Sequence, residues 1–216
     1  MLAEGKNSKN IFKAVFIIGS PGAGKTEFHN AALAGQGLKH LDPDKILSFY
    51  VKKNKGSLKD TSNYNKYQSK IKKTLEGQTK GYLNGRLGLV IDGTGRDKSL
   101  IIKLKNKLED LGYSTMMVYI NTSIVQIMKR AKSRERAVDK DYLLKAKESV
   151  KKNVPDYKNM FGNNFIEIND MSEYQKGTKK VNAFLNAPLT SKAKKWMNEE
   201  IIFHDFINEL LVVKIT

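Results

Sequence analysis

Short apolar runs alternate with longer segments of helical periodicity along this chain. The runs are AVFIIG, GLKHLD, LGLVID, STMMVYI and NNFIEIN, at residues 14–19, 37–42, 87–92, 114–120 and 163–169. Each has the length and composition of a buried β-strand. Helical segments between successive strands are crossover connections, which join parallel strands. The pattern therefore predicts an α/β fold, with a five-stranded parallel sheet covered by helices on both faces.

The alternation stops near residue 171, where two helical patterns follow, separated by NAPLTS. We expect residues 1–171 to form the main domain and residues 172–216 a C-terminal helical extension. Thr190 or Ser191 can cap the last helix. That helix carries a wide apolar stripe, which must be buried against its own domain or in a homodimer. The stripe comprises Trp196, Ile202, Phe203, Phe206, Ile207 and Leu210.

A glycine-rich loop follows the first strand and precedes a helical pattern. The stretch GSPGAGKT meets the pattern G-x-x-x-x-G-K-[ST], and the strand-loop-helix setting is the one in which this pattern binds nucleotides. Lys25 is expected to reach the β and γ phosphates, and the Thr26 hydroxyl is expected to bind Mg²⁺. The predicted nucleotide-binding residues are Gly19, Ser20, Pro21, Gly22, Ala23, Gly24, Lys25 and Thr26.

Acidic residues end the second and third strands, at the edge of the sheet where α/β folds bind ligands. Asp42 and Asp44 follow the second strand, and Asp92 ends the third. A carboxylate within reach of a hydroxyl acceptor can take its proton during phosphoryl transfer. Asp44 is the candidate base, and its alternative role is to cap the helix KILSFYVKK. Asp92 is expected to hold Mg²⁺ or to contact the acceptor, as Thr94 and Arg96 could.

The fourth strand leads into NTSIVQIMKRAKSRER, in which Thr122 or Ser123 can cap a helix. Arg130 and Arg134 lie four residues apart on one helical face. Arginine stabilises charge spread over a transferring phosphoryl group. We therefore predict a catalytic role for both arginines, nucleotide contact for Arg130 and acceptor contact for Arg136. The alternative is a basic solvated helix.

Other classes of protein fit the sequence less well. The string NKLED at Asn106 departs from the guanine-reading N-K-x-D and lies in a helical pattern, which argues against a GTPase. Cysteine is absent, and the three histidines lack metal-ligand spacing. No apolar run approaches the ~20 residues of a membrane span, so we expect a cytoplasmic protein without membrane contact. The net charge of +17 favours phosphate-rich partners, including nucleic acid.

Taken in order, GSPGAGKT, DPDK, VIDGTGRD and KRAKSRER resemble the P-loop kinase group that contains the zeta toxins, the polynucleotide 5′-kinases and many phage-encoded kinases. The resemblance runs from about residue 12 to residue 170 and implies a P-loop NTPase-type three-layer fold. It implies ATP with Mg²⁺ at the P-loop and Asp44 as the general base. It also implies acceptor contacts by Asp92, Thr94 and Arg96.

The resemblance implies further that Arg130, Arg134 and Arg136 clamp phosphates from a lid. Polynucleotide kinases usually carry an arginine three residues after the catalytic Asp, where this chain has Leu47. We therefore predict a kinase that uses ATP, or GTP, and Mg²⁺ to phosphorylate a hydroxyl acceptor, either a polynucleotide 5′-hydroxyl or a small metabolite such as a nucleotide sugar. If phage-encoded, it would work in the host cytoplasm. The alternatives are a nucleoside monophosphate kinase and a nucleic-acid-binding P-loop ATPase.

Overall fold

Five parallel strands form the centre of the protein. The structure is a computed structural model that describes residues 10–58, 60, 62–132, 140–169 and 173–198. The strands are β1 (Lys13–Ile18), β2 (Lys39–Leu41), β3 (Leu89–Gly93), β4 (Ser114–Ile120) and β5 (Phe165–Ile168). They lie in the order β2-β3-β1-β4-β5, and every neighbouring pair is parallel. The predicted sheet is confirmed.

Eight α-helices are described around this sheet. They are α1 (Lys25–Ala32), α2 (Pro43–Lys53), α3 (Ser62–Asn84), α4 (Lys98–Asp110), α5 (Ile124–Lys132), α6 (Lys140–Phe161), α7 (Tyr174–Asn186) and α8 (Ser191–Asn198). A 3-10 turn over Gly162–Asn164 leads into β5. NKLED lies in α4, where Leu108 is fully buried, so this string forms no guanine-reading loop.

Alternate residues of β1 face opposite layers, as the period of a strand requires. Phe16 and its neighbours pack against side chains from α3, α4 and α6. Ile17 faces the other layer, where α1 and α7 contribute Phe28 and Val181. A third cluster joins α2 and α3 to the sheet edge at β2, and Leu47 is buried in it. The three-layer α/β architecture is thereby confirmed.

Helix α7 is hydrogen-bonded to residues near both ends of strand β1. At its first residue, the Tyr174 hydroxyl donates to the Gly24 carbonyl after the end of β1. Just past its last residue, Ala187 accepts a bond of 2.9 Å from Lys13 Nζ at the start of β1. Thirteen helical residues and six strand residues each span about 20 Å, so the two elements match in length.

The described part of the C-terminal region packs on the same core. Thr190 caps α8, because its Oγ1 accepts from the Ala193 amide at 3.0 Å, and Ala193 is fully buried. The rest of the predicted apolar stripe, residues 199–216, and the side chain of Trp196 lie outside the described residues. The predicted dimer contact there stays a prediction. Among the described helices, none is long and apolar enough to cross a membrane.

Candidate active site

The loop between β1 and α1 has the backbone of a phosphate-binding loop. Gly19, Gly22 and Gly24 have φ values of 152°, 86° and 105°, a region that favours glycine. A Cβ at Gly19 would lie 2.8 Å from the carbonyl oxygen of Ile120. A Cβ at Gly24 would lie 2.7 Å from the Tyr174 hydroxyl. The backbone angles favour glycine at both positions, and at Gly19 the nearby backbone oxygen also leaves no space for a side chain.

Three side chains from distant parts of the chain bind the carbonyl groups of this loop. Thr122 Oγ1 donates to the Ala23 carbonyl at 2.5 Å, and Arg130 Nη1 donates to the same oxygen at 3.0 Å. The Tyr174 hydroxyl donates to the Gly24 carbonyl at 3.1 Å. These bonds hold the loop in one conformation, and the N–H groups that it offers to an anion are held with it.

The functions of these three residues differ in part from the sequence predictions. Thr122 binds the P-loop, and it is Ser123 whose Oγ accepts from the Gln126 amide at the start of α5. Arg130 contacts the P-loop through the carbonyls of Gly22 and Ala23, and its predicted contact with a nucleotide stays a prediction. Tyr174 was not predicted, because its partner lies 150 residues away in the chain. Arg134 and Arg136 lie outside the described residues.

Lys25 and Asp92 face each other across the loop. Lys25 Nζ donates to the Gly19 carbonyl at 3.0 Å and lies 3.7 Å from Asp92 Oδ1. In the register of β1 with β3, Asp92 pairs with Ile17, one residue before the end of β1. This pairing brings Asp92 and Lys25 to the same edge of the sheet. Thr26 follows on the first turn of α1 and is exposed. The structure thus brings Lys25, Thr26 and Asp92 to one edge of the sheet, as predicted.

His40 lies between two carboxylates at the end of β2. Its Nε2 is 3.7 Å from Asp92 Oδ2 and 4.0 Å from Asp42 Oδ2. Lys45 Nζ, 3.1 Å away, donates to Nδ1, and Nε2 faces the acids. Nε2 is buried and makes no hydrogen bond. The sequence feature that could have revealed this arrangement is the position of His40 two residues before Asp42, which places both side chains on the same side of the strand.

Asp42 and Asp92 are close enough to influence each other. Burial, followed by the charge of Asp92, raises the pKa of the Asp42 carboxyl. Oxygen atoms of both acids and a nitrogen of His40 lie within 4.8 Å of one another, a spacing at which a cation could be bound. The spacing of the histidines along the chain did not indicate this cluster, because the pairing of β2 with β3 brings its members together.

Asp42, not Asp44, caps helix α2. Asp42 Oδ1 accepts from the amides of Asp44 and Lys45, at 2.9 and 3.2 Å, and Pro43 is the first helical residue. The alternative role given to Asp44 is therefore wrong, because the helix begins two residues earlier than predicted. Asp44 is exposed on the first turn of α2, at the edge of the sheet that carries Asp92.

The loop after β3 is fixed by helix α6. Gly95 has φ 76°, and its carbonyl accepts from the Tyr157 hydroxyl at 2.8 Å. Asn153 donates to the Arg96 carbonyl at 2.8 Å. The guanidinium of Arg96 lies 4.7 Å from the ring centroid of Tyr142, on α6. The backbone around Thr94 is thereby held, while the Arg96 side chain is exposed at the rim of the site.

Lys147 is a further charged group near the P-loop that sequence reasoning missed. Its Nζ donates to the Thr122 carbonyl at 2.6 Å, which steadies the residue that binds Ala23. Burial lowers the pKa of Lys147, and the nearby charge of Lys151 lowers it further. Lys147, on α6, thus supports the P-loop indirectly, through Thr122.

The fold and the loop define this chain as a P-loop kinase. The sequence model of the zeta toxin family matches residues 2–179, most of the chain, so the chain belongs to the zeta toxin family. Membership confirms the resemblance that the four motifs indicated. No curated protein matches the chain in sequence.

Solved structures of low sequence identity share the fold. A supposed kinase from Chloroflexus aurantiacus J-10-fl is 15% identical, with a TM-score of 0.58, and the match covers 80% of this chain and 97% of that one. A chain of the Pnkp1/Rnl/Hen1 RNA repair complex is 16% identical, with a TM-score of 0.53, covering 69% of this chain and 47% of that one. Shikimate kinase from Acinetobacter baumannii, solved with shikimate, is 18% identical, with a TM-score of 0.50, covering 84% and 96%.

Proposed function

We propose that this protein transfers the γ-phosphoryl group of ATP, with Mg²⁺, to a hydroxyl group of an acceptor. The observation that carries the proposal is the set of carboxylates at the P-loop edge. Asp92 lies 3.7 Å from the P-loop lysine, and Asp42 and Asp44 follow the adjacent strand. An acceptor that enters beside the terminal phosphate would meet acids that suit a hydroxyl better than an anionic phosphate.

The residues at the loop fit a nucleoside triphosphate and its metal ion. Positive φ angles at three glycines, and an α1 N-terminus without a side-chain cap, suit a bound polyphosphate. Thr26 and Asp92 would hold Mg²⁺, which would supply positive charge to the phosphate oxygens when bound. Lys25 would complete this neutralisation from the other side of the loop.

Asp44 acts as the general base in this proposal. The acceptor oxygen forms a bond to the γ-phosphorus, the bond from that phosphorus to the ADP oxygen breaks, and the hydroxyl proton passes to Asp44. The start of helix α2 does not need the Asp44 carboxylate, since Asp42 supplies both capping bonds. Asp42 holds its other oxygen toward His40 and Asp92, where it helps to shape the acceptor side.

Arginines and the loop after β3 complete the proposed site. The resemblance assigns phosphate contacts to Arg130, Arg134 and Arg136. Arg130 is already bonded to the P-loop, so we assign it to holding the loop around the nucleotide. Thr94 and Arg96 are assigned to the acceptor, because α6 fixes their backbone at the rim of the same edge.

The experiment is transfer of label from γ-labelled ATP, with Mg²⁺, to separate pools of 5′-hydroxyl oligonucleotides, nucleosides, nucleotide sugars and other small metabolites. We expect labelled product from a hydroxyl-bearing pool, formed at least about 10²-fold more slowly by the Lys25→Ala and Asp44→Asn variants. Label on a nucleoside monophosphate, unaffected by Asp44→Asn, would replace the proposal with a monophosphate kinase. Release of free phosphate alone, stimulated by nucleic acid, would replace it with an ATPase.

A further inference from the structure

Helices α2 and α3 carry a concentration of positive charge that the proposed reaction does not use. Residues 45–84 contain ten lysines, no arginine and two acids, Asp60 and Glu76. This segment therefore holds an excess of eight positive charges out of the net +17 of the chain. It is also the segment that follows Asp44 directly.

The lysines of α3 form one stripe. Lys66, Lys70, Lys73 and Lys80 are spaced by four, three and seven residues, which places them on one face of the helix. From the first to the last, the stripe is about 21 Å long at 1.5 Å per residue. Buried residues at a spacing of four, such as Ile71, face the sheet and α2 instead. The stripe thus points outward.

Several lysines outside this stripe form ion pairs with acidic residues. Lys98 pairs with Asp156 at 2.6 Å, and Lys158 pairs with Glu167 at 2.8 Å. Of the lysines on α3, Lys72 pairs with Glu76 at 3.8 Å. Within the described ranges, no carboxylate lies within 4.0 Å of the ammonium groups of Lys73 or Lys80. Charge on the stripe is therefore left to attract a polyanion.

Aromatic rings hold several of these ammonium groups in place. The rings of Tyr50 on α2 and Tyr67 on α3 are stacked, with centroids 5.9 Å apart, and Lys70 Nζ lies 5.9 Å from each centroid. Lys53 Nζ lies 5.9 Å from the ring centroid of Phe49, which is 59% exposed on α2. An exposed ring beside a lysine is an arrangement on which an unpaired base can stack.

We propose that this surface, formed by Phe49, Lys53, Lys66, Lys70, Lys73 and Lys80, binds single-stranded nucleic acid without reading its sequence. Lysine ammonium groups contact phosphates as point charges, which gives affinity without base specificity. Phe49 supplies a ring for one base. Insertion into a membrane does not fit, because an interfacial helix needs an apolar face toward the lipid and the exposed face of α3 carries lysines.

The test is fluorescence anisotropy of a labelled oligothymidine, titrated with wild-type protein over a series of salt concentrations. We expect Lys66→Gln, Lys70→Gln and Lys73→Gln, combined, to weaken binding at least tenfold at low salt. The slope of log affinity against log salt should fall by about 2, since each phosphate contact contributes roughly 0.7 on a single strand. The matched control combines Lys176→Gln, Lys179→Gln and Lys180→Gln on α7, at the opposite face of the sheet, and should leave the slope nearly unchanged.

Phe49→Ala tests the ring separately. It should weaken binding about fivefold or more without changing the salt slope, by removing one stacked base, and the effect should vanish on an abasic strand. Val125→Ala, at another exposed apolar residue, is the control and should have no effect. Lys25→Ala should bind the strand as wild type does, so the inference and the proposed function can fail separately.

Three results would overturn the inference. Equal losses from the two lysine triples would mean that net charge alone attracts the strand. Absence of measurable binding at low salt would exclude the surface altogether. Equal binding to phosphatidylcholine vesicles that contain phosphatidylserine, with displacement of the strand by those vesicles, would assign the stripe to anionic membranes.

Discussion

The two sides of the site are held together by different forces. On the donor side, the P-loop carbonyls accept hydrogen bonds of 2.5–3.1 Å from Thr122, Arg130 and Tyr174. On the proposed acceptor side, His40 Nε2 lies 3.7 Å from Asp92 and 4.0 Å from Asp42, beyond hydrogen-bond reach, so these atoms interact electrostatically. The donor side is a backbone held by hydrogen bonds, and the proposed acceptor side is a set of side chains whose facing atoms make no described hydrogen bond to one another.

This difference suits the two substrates. A triphosphate has the same shape in every turnover, and a preorganised loop binds it without paying for rearrangement. Acceptors of a kinase fold vary from one protein to another, and carboxylates at charge-contact distances can adjust to a hydroxyl. Changes on the donor side should therefore act through nucleotide binding and geometry, while changes on the acceptor side should act through proton transfer and charge.

Lys25→Ala should have the largest effect on activity. Removing the ammonium group that faces the phosphates is expected to lower kcat by about 10²–10³-fold, the usual loss of one preorganised charge at a transferring group. The melting temperature should stay nearly constant, because the lysine makes a single described hydrogen bond, to Gly19. Rates of label transfer and thermal melts measure both quantities. Full activity in this variant, with Lys103→Ala as the control, would contradict the proposed donor site.

Asp44→Asn should come next, with a loss of about 10²-fold in kcat, since general bases contribute 10²–10⁴-fold. Asp42→Asn should lose severalfold only, because an asparagine oxygen can still cap α2 and the change removes a neighbouring charge. Both are read from kcat and KM for the acceptor. The reverse order of the two losses would move the base to Asp42.

Tyr174→Phe should affect the donor side more gently. Losing the hydrogen bond to Gly24 is expected to cost about 1 kcal/mol and to raise the KM for the nucleotide roughly fivefold, with a smaller change in kcat. Tyr50→Phe loses a comparable bond, 2.9 Å to Thr74, at a distance from the loop. If both variants are destabilised alike and neither changes the nucleotide KM, the hydroxyl of Tyr174 does not position the P-loop.

The smallest expected effect is on the pH dependence of the protein's stability. Because burial raises the pKa of Asp42 above its value of 3.8 in the unfolded chain, the folded state holds its proton more tightly. Wild-type stability should therefore fall as pH rises from about 3.8 through the raised pKa of the folded state. Asp42→Asn lacks this titration, so its melting temperature should gain a few degrees relative to wild type between pH 4 and pH 7. A difference that does not vary with pH would mean that the charge of Asp42 is fully compensated.

Local patterns explain why most of the fold could be predicted. The P-loop glycines and the five short apolar runs are contiguous in the chain, and their periods fix strand, loop and helix directly. The start of α2 was misplaced because the stretch DPD offers two capping residues. Proline favours the first helical position, so the residue before it is the cap, and this rule selects Asp42.

The rest of the site depends on contacts that no local pattern contains. His40 looked like an isolated histidine, and its position became meaningful only when β2 and β3 paired and brought Asp92 beside it. Tyr174 looked like the start of an appended helix, although its hydroxyl binds the P-loop. Side chains that support a site from distant elements are selected by the packing of the whole sheet.

The bond between Tyr174 and Gly24 has a consequence for the order of events during synthesis. The P-loop leaves the ribosome early, whereas Tyr174, whose hydroxyl binds Gly24, is made 150 residues later. Until that residue emerges, a nascent chain has the glycine motif but lacks one of the bonds that hold it. Competence to bind nucleotide is therefore expected to mature late in translation, after all five described strands have been made.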